Sequence, residues 1–254
     1  MRILDIDLDF FLNKKNYGSV IREERLSSEE YIPNTTEEFI RYLEKNCGLS
    51  RDTRIPGKIF THHDEVFYFL RKLQEENNFD LTFEIDHLDA HADLGHGDTS
   101  HLYISSEILY LPLLKRCYPS KVKGLKGLGA GNYLSFAIAC QWLTSLNYIT
   151  KLEWNKDIPW FHFRNFDISS NLIEMKKFSK EQIKDFQLFC IPENVRKFEP
   201  IQLEPEVPFN YINSNTFESD GKYDYVFLTQ SPGFTPETSD LLIPIFEKYI
   251  KNSK

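Results

Sequence analysis

Short apolar runs of strand length alternate along this chain with longer runs of helical period, and that alternation restricts the fold more than any other feature. Strand–helix–strand repetition implies parallel strands joined by crossover helices, and so an α/β sheet covered by helices. "RILDIDLDFF" reads as the first strand, with Leu4, Ile6 and Leu8 alternating with Asp5, Asp7 and Asp9. "TTEEFIRYLEKNCG" reads as a helix capped by Thr35 or Thr36 and stopped by Gly48. "GKIFTHHDE" is a strand ending in histidines. It runs into "EVFYFLRKLQEENN", where Val66, Phe69, Leu70 and Leu73 form one apolar helical face. "DLTFEIDHL" supplies a third strand through Leu81, Phe83, Ile85 and Leu88.

Further along, "GNYLSFAIACQWL" predicts a helix with Phe136, Ala137, Cys140 and Leu143 on one side, and "PWFHF" predicts another strand. "SKEQIKDF" opens a short helix with a capping box, Ser179 and Gln182. "YDYVFLTQ" is a late strand. The tail "SDLLIPIFEKYI" is helical if Pro244 lies in its first turn or kinks it. From about Ile191 to Gly221 the chain is rich in Pro, Asn and Glu with weak periodicity, which predicts a long surface loop. No linker and no repeat divides the chain, so residues 1–254 are read as one α/β domain.

Composition narrows the function. A formal charge of −8 argues against a nucleic-acid partner, because phosphate binding needs a basic face. The longest basic grouping, Lys121, Lys123 and Lys126, reads as a solvated loop. Cys47, Cys117, Cys140 and Cys190 show no CxxC or disulfide-framework spacing, which suits reduced thiols in the cytoplasm. No signal-peptide core and no run of ~20 apolar residues is present, so a soluble protein without a membrane partner is expected.

Three of the strands finish with residues that bind metals: Asp5, Asp7 and Asp9; His62, His63 and Asp64; Asp89, His91 and Asp93. Parallel neighbours bring their carboxyl ends to one edge, where open sheets bind ligands. Four converging carboxylates repel one another without counter-charge, and two divalent cations balance four aspartates. Oxygen-rich ligation with imidazoles suits a hard ion such as Mn²⁺. Period-two alternation leaves open whether Asp5 or Asp9 is the ligand.

"LDAHADL" resembles the Asp-Ala-His-x-Asp motif of the arginase, agmatinase and formiminoglutamase family, the ureohydrolases. The resemblance implies a three-layer α/β/α sandwich with a mainly parallel sheet, similar to that of the histone deacetylases, and two Mn²⁺ ions at the strand ends. It implies that Asp89 bridges the ions, with His91 on one and Asp93 on the other. "THHDE" is similar to the family's Gly-Gly-Asp-His-Ser segment and places a ligand at His63. "LDIDLD" is similar to its Ser-x-Asp-x-Asp segment, with a second bridging carboxylate at Asp7, a terminal one at Asp9, and Asp5 in the serine's position. Here the Asp-x-Asp strand precedes the Asp-Ala-His motif, the Gly-Gly pair is absent, and Phe10-Phe11 replaces the Asp-Pro sequel. These features resemble an arginase-like branch with permuted motif order, for which no substrate is implied. "GNYLSFAI" is similar to the family's Gly-Asn segment and makes Asn132 a substrate-pocket candidate, although an ordinary cap at the start of a core helix is the simpler account of it.

The expected chemistry is hydrolysis of a linear C–N bond in a small guanidino or amide substrate, by water activated between two ions. The leaving amine needs a proton, for which His101 and His96, downstream of Asp93, are candidates; both also suit an exposed surface. The alternatives are a deacetylase-like enzyme with one Zn²⁺ and a non-catalytic metal-binding or interaction module. A homo-oligomer is compatible with the chain.

Overall fold

The computed structural model describes residues 1–18, 23–120, 127–154, 156–188 and 197–253. Its centre is an eight-stranded sheet in the order β10-β2-β9-β1-β3-β4-β8-β5. The strands are β1 (Arg2–Asp7), β2 (Ile55–Phe60), β3 (Phe83–Leu88), β4 (Leu143–Thr150), β5 (Leu172–Ile173), β8 (Val207–Asn213), β9 (Tyr225–Thr229) and β10 (Ile250–Asn252). All neighbours pair in parallel except β5, which lies antiparallel on β8. A separate two-stranded ribbon joins β6 (Lys176–Lys177) to β7 (Gln202–Leu203).

Alternation along β1 sorts its side chains. Ile3 packs with the cluster formed by α2 (Asp64–Glu76), α3 (Ser100–Ser106) and α5 (Tyr133–Ala139). Leu4 and Ile6 pack on the other face with Phe39 of α1 (Thr36–Arg41) and with Phe246 of the helical turn Ile243–Phe246. Both faces are therefore covered, as a parallel sheet requires. Asp5 and Asp7 share the face of Ile3. The register sets Asp5 opposite His87 and Asp7 opposite Thr229, so β1, β3 and β9 end level with one another.

Several elements follow their sequence patterns. Thr35 caps α1 through a capping box with Glu38, and Gly48 beyond it takes φ +68. The Ser179–Gln182 box opens α6 (Lys180–Leu188). Pro244 falls in the first turn of Ile243–Phe246, between two 3-10 turns.

Others differ. The helix expected over "GNYLSFAIACQWL" stops at Ala139, because Gln141 turns with φ +58 and Leu143 opens β4. "PWFHF" is a 3-10 turn, Trp160–His162, rather than a strand. The surface loop expected up to Gly221 contains β8, whose Val207 and Phe209 are buried against the sheet while Pro208 and Asn210 face outward. Lys121, Lys123, Lys126 and Cys190 lie outside the described residues. Cys47, Cys117 and Cys140 are buried free thiols. Among the described residues no helix is long and apolar enough to cross a membrane.

Candidate metal centre

Asp7, Asp9, His63, Asp89, His91 and Asp93 line one cleft of about 660 Å³ at the carboxyl edge of the sheet. Its floor comes from the ends of β1, β3 and β9. His63 arrives from the turn after β2, where it precedes the first residue of α2. Asp9 reaches the cleft differently from the alternation expected of it. β1 ends at Asp7, whose carboxylate accepts the Asp9 backbone N–H at 2.9 Å and starts the 3-10 turn Leu8–Phe11. That turn presents Asp9 beside the strand rather than on it. β3 likewise ends at Leu88, and Asp89 through Asp93 form an irregular segment in which Asp93 takes φ +49.

The first ligand group surrounds His63. Its Nδ1 lies 3.1 Å from Asp7 Oδ2, 3.2 Å from Asp89 Oδ2 and 2.9 Å from Asp93 Oδ2. One ring nitrogen cannot hydrogen-bond three carboxylates, and Asp93 Oδ2, although close, has no hydrogen-bond donor at all. Adjacent ligand atoms of an octahedral shell with ~2.1 Å bonds are roughly 3 Å apart, and Asp7, His63 and Asp89 bring ligand atoms close enough to share one cation, with Asp93 beside them. Behind the ring, Nε2 sits 3.0 Å from Asp5 Oδ2. An acceptor there fixes the hydrogen on Nε2 and turns the Nδ1 lone pair into the cleft, which is how carboxylates position metal-binding histidines. Asp5 thus positions His63 from behind, while its other oxygen, Oδ1, is buried without a hydrogen-bond partner among the described residues. Asp5, His63 and His87 form a further group that could hold a metal ion.

The second group surrounds His91, whose Nδ1 is 2.9 Å from Asp9 Oδ2 and 3.7 Å from Asp89 Oδ1. Its Nε2 lies 3.0 Å from the Asn16 carbonyl, and the ring packs edge-on against Phe234. The same logic applies: a carbonyl fixes the outer hydrogen and Nδ1 faces carboxylates. Among the described residues Asp89 falls in three candidate ligand groups, with Asp7 and His63, with Asp9 and His91, and with His87 and Asp93, whereas Asp7 falls in one. Asp89 offers Oδ2 toward His63 and Oδ1 toward His91.

The electrostatics without a cation follow from this crowding. Burial and repulsion from Asp7 and Asp89 hold the Asp9 carboxyl well above its ordinary range. Burial and the Asp89 charge push Asp93 up to about 6. Burial opposes the charging of His63 and His91, but the carboxylates around them outweigh it and raise both well above a free imidazole. Burial also opposes ionisation of Asp5 and Asp89, yet the imidazoles bound to each keep both below the usual carboxylate range. The raised affinity of His63, His91, Asp9 and Asp93 for protons offsets negative charge that a divalent cation would otherwise balance.

Three members of the centre have no local sequence signal of the kind used above. His87 on β3 places Nδ1 3.0 Å from Asp5 Oδ2 and Nε2 3.3 Å from Asp89 Oδ2. Its parity with Asp89, His91 and Asp93 was the available clue. Tyr133 at the start of α5 donates a short hydrogen bond to Asp5 Oδ2, and Ser231 after β9 donates one to Asp7 Oδ2. Ser231 is held with φ +48, and Asp93 shares that left-handed geometry, at a cost of roughly 1–2 kcal/mol each. Strain of this kind concentrates where function fixes a side chain.

No family model, no curated protein and no solved structure matches the chain. The donor set itself is therefore the basis for judging what the centre holds. Among the described residues these buried carboxylates and oriented imidazoles form groups that could hold a metal ion, and the oxygen-rich donor set is of the kind hard cations take.

The remaining site candidates separate. His96 is exposed on the rim of the cleft. Asn132 lines the wall, but its amide donates to Asp98 and the Gly127 carbonyl and accepts from Gly129 N–H, so it is spent in holding the loop. It caps α5 by position without a side-chain cap bond.

His101 does not line this cleft. It lies in a separate aromatic cavity, stacked on Phe161 with ring centroids 3.8 Å apart, because α3 turns it away from Asp93. Burial holds its imidazole down at about 4. Since the unfolded ring takes up a proton near pH 6.5 and the folded ring resists it, acid favours unfolding across this window. Urea denaturation should show the parent losing about 3 kcal/mol more than His101→Phe between pH 7 and pH 4. Equal losses would place His101 in contact with solvent.

Proposed function

We propose that this protein is a metal-dependent hydrolase with an arginase-like centre, which cleaves a linear C–N bond in a small guanidino or amide substrate. The observation that carries the reading is Asp89 spanning two ligand groups, each completed by an imidazole whose Nδ1 is aimed at carboxylates. Asp7, His63, Asp89 and Asp93 would hold one Mn²⁺, and Asp9, Asp89 and His91 the other. Such a pair would supply Lewis acidity, acidifying a water molecule and polarising the substrate's oxygen or nitrogen so that its carbon is open to attack.

The chain's own residues do the rest. Asp5 and His87 hold the His63 and Asp89 side chains from behind, and Ser231 fixes one oxygen of Asp7. Asn16 and Phe234 orient His91. The cleft's volume suits a small molecule. His96, exposed on its rim, would donate the proton that a departing amine requires. Buried free thiols agree with a cytoplasmic setting.

A second reading is favoured by one asymmetry: three carboxylates meet at His63 Nδ1 but only two at His91 Nδ1. A single ion, Zn²⁺ included, would then occupy the first group alone, as in a deacetylase-like enzyme.

Metal content per chain separates the two, with two Mn²⁺ expected on the first reading. Turnover is tested with arginine, agmatine, guanidinobutyrate and N-acetylated polyamines under Mn²⁺ or Zn²⁺, following urea or amine release. Two bound Mn²⁺ with no product from any compound would remove C–N hydrolysis and leave a metal-binding module. A protein that retains no divalent ion would remove the reading altogether.

A further inference from the structure

The cavity that receives His101 is about 220 Å³ in volume and is walled by Trp160, Phe161, Phe166 and Phe178. Phe166 and Phe178 are near parallel at 17°, and Phe161 is stacked on the His101 ring. These residues come from α3, the Trp160–Phe166 turns and the chain after β6. They form a small apolar cluster distinct from the two that pack the sheet. An apolar cavity of ~150 Å³ accepts a benzene ring, so this one has room for a ring with a substituent.

Its polar content is specific. Lys176 also borders the cavity, but its ammonium donates to the Phe163 and Glu174 carbonyls, each at 2.7 Å, and faces Glu174 Oε1 at 3.5 Å. That charge is consumed within the protein, which disfavours an anionic guest. His162 is likewise spent on Ser135. His101 Nδ1 is different: it is buried and has no hydrogen-bond partner among the described residues. Beside the engaged Lys176 and His162 the lining is aromatic and aliphatic apart from Ser105, so few polar contacts are on hand for a lone water, which needs two to four. Nδ1 is an acceptor in one tautomer and a donor in the other, and a hydroxyl group satisfies either.

We propose that this cavity is a second binding site, separate from the metal cleft, for a neutral single-ring aromatic molecule carrying a hydroxyl group. The aromatic walls supply the apolar contact and His101 Nδ1 recognises the hydroxyl. Neither the metal ligands nor hydrolysis enters the argument, so it stands or falls independently of them.

Phenol is the probe, with toluene as the guest of similar shape that lacks the hydroxyl. Titration of the full-length protein, followed by calorimetry and by emission of the wall residue Trp160, should show saturable binding of one phenol per chain. Toluene should bind about tenfold more weakly, the worth of one neutral hydrogen bond. In the parent, phenol should shift the His101 ring-nitrogen resonance while leaving His91 and His63 unmoved. His101→Phe keeps an aromatic ring and removes the nitrogen, and should lower phenol affinity to that of toluene. Equal affinity of phenol and toluene for the parent overturns hydroxyl recognition without any variant. Absence of saturable phenol binding, or binding that leaves the His101 resonance in place, overturns the site.

Discussion

Asp89→Asn is expected to weaken the binding of both Mn²⁺ ions by more than about 100-fold, beyond the 10–100-fold typical of changes to outer partners. Asp89 is the one carboxylate placed in both ligand groups, with Oδ2 near His63 and His87 and Oδ1 near His91. Asp93→Asn touches only the first group and should cost one ion. Calorimetric titration gives the counts, and the rise in Tm on adding Mn²⁺, present in the parent by mass action, should vanish for Asp89→Asn. Two ions bound as tightly as in the parent would show that Asp89 is not shared. Without metal the two variants should part company. Asp89 is stabilised as a carboxylate by the surrounding imidazoles, so its neutralisation removes their counter-charge and destabilises the fold. Asp93, raised to about 6, binds a proton more readily folded than unfolded, so its contribution falls as pH climbs from about 4 to 6. Above that window Asp93→Asn should be the more stable protein, by up to about 3 kcal/mol.

Mn²⁺ affinity should rise steeply with pH between 6 and 8. His63, His91 and Asp9 are all raised well above their ordinary values, and Asp93 lies at about 6, so a cation must displace protons to enter. Each proton displaced contributes about tenfold in affinity per pH unit, so loss of one from His63 and one from His91 amounts to roughly 10⁴-fold over two units. Titrations at constant ionic strength, with proton release measured by repeating them in buffers of different ionisation enthalpy, check both slope and count. Affinity independent of pH would mean that the imidazoles already face the cleft unprotonated. His91→Ala should reduce the slope by one proton and spare the ion at His63.

Much of the scaffold was readable because its determinants are local. Alternation in "RILDIDLDFF" places Leu4 and Ile6 on one face of β1 and Asp5 and Asp7 on the other, and the period of "EVFYFLRKLQ" selects the buried face of α2. Strand ends in an open parallel sheet share an edge, so gathering Asp7, His63 and Asp89 in one cleft required only that the three strands be parallel. Local pattern misled where the backbone changed state within a few residues. Asp9 belongs to a 3-10 turn begun by the Asp7 side chain, and Leu143 to a strand begun after the left-handed Gln141. Periodicity assumes an unbroken element, and neither break is visible to it.

Roles that depend on distant segments were beyond such reading. Asp5 shares the parity of Asp7, but Tyr133, 128 positions away, and His63 and His87 engage one of its oxygens while the other is buried without a partner among the described residues. Ser231 reaches Asp7 across 224 positions. His101 follows Asp93 closely in sequence, yet α3 carries it into a different cavity. Residue type and spacing established which groups can bind a hard cation and at which strand ends they stand. Which oxygen meets which nitrogen, and which carboxylate is left without a donor, was settled by packing between segments remote in the chain, because hydrogen-bond direction depends on their relative placement to within a fraction of an ångström.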